Sequence, residues 1–327
     1  MNEEKPESLF QLPGNKKGPL AKTPPLVFIF LSLSVVFFLY QIIGSSITYL
    51  ILGSDIDINP GNVNVTRLII TFAQFMFVLV PSVILVMLQD NNIKETFRLK
   101  KPKMSVFALA ILGIFIIQPF LQMFLYYQNE IIFNLPFGKE FLTTLKEIFD
   151  TLEASTEKLV TADSIPEFIM IVIVIAVTPA ICEEFLFRGL VFKNFEKIIS
   201  PGKAIFFTGF LFALFHFHPF NLIPLTVLGI YLTLVVYHSG SIYTAIAVHF
   251  INNFISALAV YIYGTEMLGS DAVAKMTGSE QKELLIFGII SFIGFMIIVY
   301  LIKKNSAERS APLIKEELQN LPPSVNE

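Results

Sequence analysis

Three charged residues fall inside the apolar stretches of this 327-residue chain, and they fall within six positions of one another: Glu183, Glu184 and Arg188. A charge at the centre of a membrane helix costs about 2.5–3.5 kcal/mol on insertion scales, so three together need partners or water. On an α-helix Glu184 and Arg188 are i, i+4, about 40° apart around the axis, and can pair on one face. Glu183 lies about 140° around from Arg188 and is left as a carboxylate without that partner, the group that suits a general base. Two histidines, His216 and His249, fall in later apolar stretches, and Asn253 shares a helix face with His249. A carboxylate, two imidazoles and an amide converging in a bilayer make a candidate hydrolytic site.

The elements that must position these residues are membrane helices. Hydrophobic residues make up 54% of the chain and charged residues only 15%, well under the quarter usual in soluble domains. The apolar residues come in blocks, which excludes a soluble enzyme, a disordered chain and a nucleic-acid binder. Eight blocks stand out: 26–52, 68–88, 104–127, 168–192, 204–217, 220–237, 242–263 and 284–302. Most reach the roughly 20 residues a spanning helix needs. The block 204–217 is short, and His218-Pro219 reads either as a turn or as a kink within one long segment. With the N-terminus inside and the spans alternating, 17 of the 23 basic residues collect on the inner side. That is the positive-inside pattern, and merging the two doubtful blocks would place Lys303 and Lys304 outside. The expected fold is therefore all-α, a polytopic transmembrane bundle of about eight helices with both termini cytoplasmic. The expected organisation is a disordered tail 1–25, N-terminal spans with an outer amphipathic segment 26–163, a core 164–263, an outer loop and last span 264–304, and a disordered tail 305–327. Within the amphipathic segment Phe141, Leu145, Ile148, Phe149 and Leu152 recur at helical spacing, as in a helix lying on the outer interface, a cap or a lid.

Register brings the candidates together. Ser200-Pro201-Gly202 is a turn signal, with Glu183 17 residues before Ser200 and His216 14 residues after Gly202. On two helices meeting at that turn their heights differ by about 4.5 Å, within reach of contact. Pro179 cannot donate to the carbonyl of Ile175, which frees that carbonyl near the site. His218 and His238, beside turn residues, read as loop residues, and Cys182 reads as a buried thiol. A single Glu–Arg pair or a single membrane histidine is as readily architectural. The concentration of all of them in three of the eight blocks favours a site. No His-Glu-x-x-His helix, Gly-x-Ser-x-Gly elbow, phosphate loop or dinucleotide fingerprint occurs.

The run from Thr178 to Gly189 resembles the Glu-Glu-x-x-x-Arg motif of the CAAX prenyl protease and bacteriocin-processing (CPBP) family of intramembrane proteases. Phe212 to His216 resembles that family's Phe-x-x-x-His motif, and His249 to Asn253 its His-x-x-x-Asn motif, in the family's order. The resemblance implies peptide-bond hydrolysis inside the bilayer: Glu183 activating water with His216 assisting, Glu184 and Arg188 as a supporting pair, and His249 and Asn253 binding the oxyanion. It implies a membrane-associated peptide or protein as substrate, the lipid bilayer as surroundings and no nucleic acid. The membrane expected is the plasma membrane of a bacterium. Zinc is an open alternative, with His216, His249 and Glu184 as candidate ligands. An asparagine is a poor zinc ligand and a good oxyanion donor, which favours metal-independent chemistry. The alternative from another class is a transporter or scaffold using the same cluster, but it lacks the paired interrupted helices and internal repeat expected of one.

Overall fold

The computed structural model describes residues 18–53, 58–134, 138–264 and 277–319, and no strand occurs among them. In chain order the helices are α1 (Pro25–Leu52), α2 (Val63–Leu88), α3 (Met104–Phe133), α4 (Lys139–Val160), α5 (Ile165–Phe195), α6 (Pro201–Leu214), α7 (Pro219–Ser239), α8 (Ile242–Tyr263) and α9 (Gly278–Gln319). Seven are long and apolar enough to cross a membrane, all but α4 and α6. The chain is an integral, multi-pass membrane protein. The eighth expected span, α6, is a helix of 14 residues, about 21 Å at 1.5 Å per residue and shorter than the hydrocarbon core.

The join at His218-Pro219 is a turn. The helices α6 and α7 fold back on one another so closely that a Cβ on Gly209 would lie 2.8 Å from the carbonyl carbon of Gly229. Two facing glycines let the backbones meet, as small residues do between membrane helices. Gly209→Leu is expected to force them apart and cost about 1–3 kcal/mol, read as a lower Tm in detergent.

Local sequence explains the element boundaries. Ser164 and Glu167 open α5 as a capping box: Ser164 accepts from the Glu167 N–H, and the Glu167 carboxylate accepts from the Asp163 N–H at 2.9 Å. Ser241 caps α8, and Gly240 ends α7 at φ 69°, in the left-handed region. Four π-helical stretches interrupt the long helices among the described residues: Phe38–Gly44 in α1, Phe75–Leu79 in α2, and Val172–Val177 and Phe185–Val191 in α5. Two of them end just before a proline, Pro81 and Pro179, whose missing N–H leaves carbonyls for the wider turn to absorb.

Two apolar clusters form the interior. One joins α1, α2, α5 and α6 around Phe28, Val86, Phe187 and Phe212. The other joins α3, α7, α8 and α9 around Ile114, Tyr231, Val248 and Ile298. Arg67, an outer-flank residue by the charge pattern, is buried in α2. It donates to the carbonyls of Leu159 (2.9 Å) and Thr161 (2.6 Å) at the end of α4, and to Asn64 (2.8 Å). A cation on the last carbonyls of a helix satisfies orphan acceptors and opposes the helix dipole. Arg67→Met is expected to loosen that end of α4 by about 1–3 kcal/mol, seen as faster amide exchange around Leu159 with the spans unchanged.

The tails differ from expectation where they are described. Leu20 donates its N–H to the Leu88 carbonyl at 2.9 Å and Ala21 is buried, so residues 18–24 pack on the end of α2. The last helix continues through Gln319, past the expected end of order at 304. Residues 1–17, 265–276 and 320–327, which hold the rest of the expected tails and outer loop, lie outside the described residues.

Candidate active site

The seam between the two clusters holds every candidate residue of the sequence reading. Helix α5 brings Glu183, Glu184 and Arg188, α6 ends just before His216, and α8 carries His249 and Asn253. The stretch Thr178–Glu184 is α-helical between two π-helical ones, so the two glutamates sit where the helix changes pitch twice.

Glu183 and His216 face each other. Glu183 Oε2 lies 3.8 Å from His216 Nε2, with the side chains 22% and 32% exposed respectively. That oxygen is buried and has no hydrogen-bond partner among the described residues. His216 Nδ1 is 2.7 Å from the carbonyl of Phe212, which can only accept, so Nδ1 carries the proton and Nε2 turns to Glu183.

Glu184 points the other way, into the protein. Its Oε1 accepts from Arg188 Nη1 at 2.7 Å and from His249 Nδ1 at 2.8 Å. Neither Glu184 nor Arg188 has an exposed side chain, and Arg188 Nη2 donates to the carbonyl of Gly229 at 3.0 Å. The guanidinium also lies 4.4 Å from the centre of the Phe212 ring, a cation–π contact in a buried setting. Phe212 is thus a hub: its ring centre is 4.6 Å from His216 and 5.9 Å from His249. In the sequence Phe212 figures only as the first residue of the Phe-x-x-x-His resemblance, and its contact with Arg188 is not legible there.

Asn253 finds the freed carbonyl. Its Nδ2 donates at 2.8 Å to Ile175, whose helical donor is missing because residue 179 is proline. One amide N–H of Asn253 therefore holds the backbone in shape. The sequence pattern alone reveals neither this use of Asn253 nor the link of His249 to Glu184.

Cys182 is a buried free thiol. His218 accepts from the Asn221 N–H at 3.2 Å and caps the short turn before α7, as a loop residue does, while His238 lies in the last turn of α7. Phe149 of α4 packs against the His218 ring at a tilt of 59°, with centroids 4.9 Å apart, two residues beyond His216. An apolar groove of ≈ 1250 Å³ runs along α1 and α6 past Phe30, Phe37, Phe207 and His218, and neither Glu183 nor His216 lines it.

Residues 165–255 match the family model described as Type II CAAX prenyl endopeptidase Rce1-like. The match spans 91 of the 327 residues. No curated protein and no solved structure matches the chain. The endopeptidase segment covers α5, α6, α7 and much of α8, and includes all six candidate residues; α1 to α4 and α9 lie outside it.

Zinc does not fit the residues as placed. Among the described residues no three His, Cys, Asp or Glu side chains gather as a metal site. The expected ligand set of His216, His249 and Glu184 is divided: Glu184 Oε1 accepts from Arg188 and His249 inside the protein, while His216 faces Glu183.

Proposed function

We propose that this protein is an intramembrane endopeptidase in which Glu183 activates the attacking water and that it cleaves a membrane-associated peptide or protein. The match of residues 165–255 to an endopeptidase family gives the reaction class. The observation that carries the residue assignment is the opposed Glu183–His216 pair, 3.8 Å apart with an orphaned carboxylate oxygen on the shared side. In this reading the attacking water bridges the two side chains. Glu183 takes a proton from that water as its oxygen attacks the peptide carbonyl, and His216 holds the water in line. The oxygen of the tetrahedral intermediate is met by the second N–H of Asn253 and by a proton on His249 Nε2, the ring's other proton, on Nδ1, being held by Glu184. The proton held by Glu183 then passes to the leaving amine, and the carbon–nitrogen bond breaks. Glu184 and Arg188 touch no reacting atom in this scheme and act as the anchor of His249. The basic inner flanks support both termini facing the cytoplasm.

The test is cleavage of a membrane peptide library by the purified protein in proteoliposomes, with products mapped by mass spectrometry, beside Glu183→Gln. Cleavage lost in the variant supports the reading. Equal cleavage in both removes Glu183 as the base. No cleavage by either, with solute flux through the proteoliposomes, favours a transporter. A zinc chelator is expected to leave activity unchanged.

A further inference from the structure

The family segment ends at residue 255, yet a polar chain of contacts enters the site from α3, far outside it. Gln118 sits mid-way along a largely apolar helix, beside Pro119. Its Nε2 donates to the carbonyl of Ile114 at 3.1 Å and to Asn252 Oδ1 at 3.0 Å. Asn252 Nδ2 then donates to Asn253 Oδ1 at 3.1 Å, and Asn253 Nδ2 donates to Ile175 at 2.8 Å.

The three links from Gln118 to Ile175 run in one direction, and Gln118 donates also the other way, to Ile114. Both ends are backbone carbonyls, which can only accept. Ile114 requires an N–H from Gln118, and Ile175 requires one from Asn253 because residue 179 is a proline. Given the first requirement, Asn252 turns its oxygen to Gln118 and its amine to Asn253. Asn253 in turn offers its oxygen to Asn252 and keeps both N–H groups on the other side. One of these holds Ile175, and one is free. Without Gln118, Asn252 can turn over and present its oxygen to Asn253. Asn253 then either faces oxygen with oxygen or turns over as well and abandons Ile175, and in a low-dielectric interior both are costly.

We propose that Gln118 and Asn252 form a polarity relay that fixes the orientation of the Asn253 amide, with Gln118 as a positioning residue that never touches substrate. The part of this that concerns catalysis rests on the assignment of Asn253 as an oxyanion donor; the relay itself does not. Helix α3 thereby belongs to the working site, although the family segment omits it.

The experiment has two arms on the full-length protein in detergent micelles. In the first, side-chain amides of ¹⁵N-asparagine-labelled protein are recorded by NMR, with the Asn253 pair assigned through Asn253→Ala. Gln118→Met, close in length and without donors, is expected to shift or broaden the Asn253 pair, and Asn252→Ala to do the same. Gln122→Met, one turn along α3, is expected to leave it in place. An Asn253 pair unmoved in Gln118→Met overturns the relay. In the second arm, hydrolysis is measured on the library peptide that wild type cleaves fastest. Gln118→Met is expected to lower kcat about tenfold at unchanged KM, and to add nothing in the Asn253→Ala background. Full additivity, or a loss carried by KM alone, overturns the positioning role. If wild type cleaves no peptide, the endopeptidase reading falls and the amide spectrum by itself decides the relay.

Discussion

Glu183→Gln is expected to lower kcat by about 10²–10⁴-fold, the usual contribution of a positioned general base, while leaving KM and Tm near wild type. The amide has nearly the shape of the carboxylate but cannot take the proton of water, so the loss appears in the chemical step. Stability is spared for a structural reason: Glu183 Oε2 makes no hydrogen bond among the described residues, and its side chain is 22% exposed, so no partner is stranded by the change. His216→Ala is expected to cost less, since it removes an aid to water placement and leaves the base. Activity assays at matched protein concentration, with melting curves alongside, check both halves. A variant that is inactive because it has unfolded would count against this account, as would one that keeps wild-type kcat.

The part of this arrangement legible in the sequence is the part that follows from helix geometry. The pairing of Glu184 with Arg188 follows from i, i+4 spacing, and the approach of His216 to Glu183 follows from counting back to the turn at Ser200. The freed carbonyl of Ile175 follows from one proline. What spacing does not give is the rotation of one helix against another. His249 and Asn253 share a face of α8, but only packing shows that one reaches Glu184 and the other Ile175. Gln118 escapes for a related reason. An amide in a largely apolar span carries no charge to draw notice, and its partner Asn252 lies more than a hundred residues away. The shortness of α6 is by contrast legible, since the apolar block 204–217 is itself short. The π-helical stretches are invisible at this level, since they depend on how the surrounding helices accommodate a shifted ladder.

The two adjacent glutamates are expected to fail in opposite ways. Glu184→Leu removes the anion that faces both Arg188 and His249, and leaves a guanidinium in the protein interior with only the Gly229 carbonyl and the Phe212 ring as partners. Removing one member of a buried ion pair costs about 3–5 kcal/mol, because the remaining charge has lost its compensation. Arg188→Leu is expected to cost less. Glu184 would keep its hydrogen bond from His249 and, as a carboxyl group, can become neutral by taking up a proton. Arginine has no such escape, since it stays charged in any protein environment. The double replacement Glu184→Leu/Arg188→Leu should therefore be more stable than Glu184→Leu alone, a sign that simple addition of two losses would not produce. Melting curves of the three variants in one detergent measure it. A double variant less stable than Glu184→Leu would show that the two side chains act chiefly by filling space. Activity separates the roles further: with His249 no longer held at Nδ1, Glu184→Leu should lose turnover even below its melting temperature, whereas Glu183→Gln loses turnover in a protein that is otherwise intact.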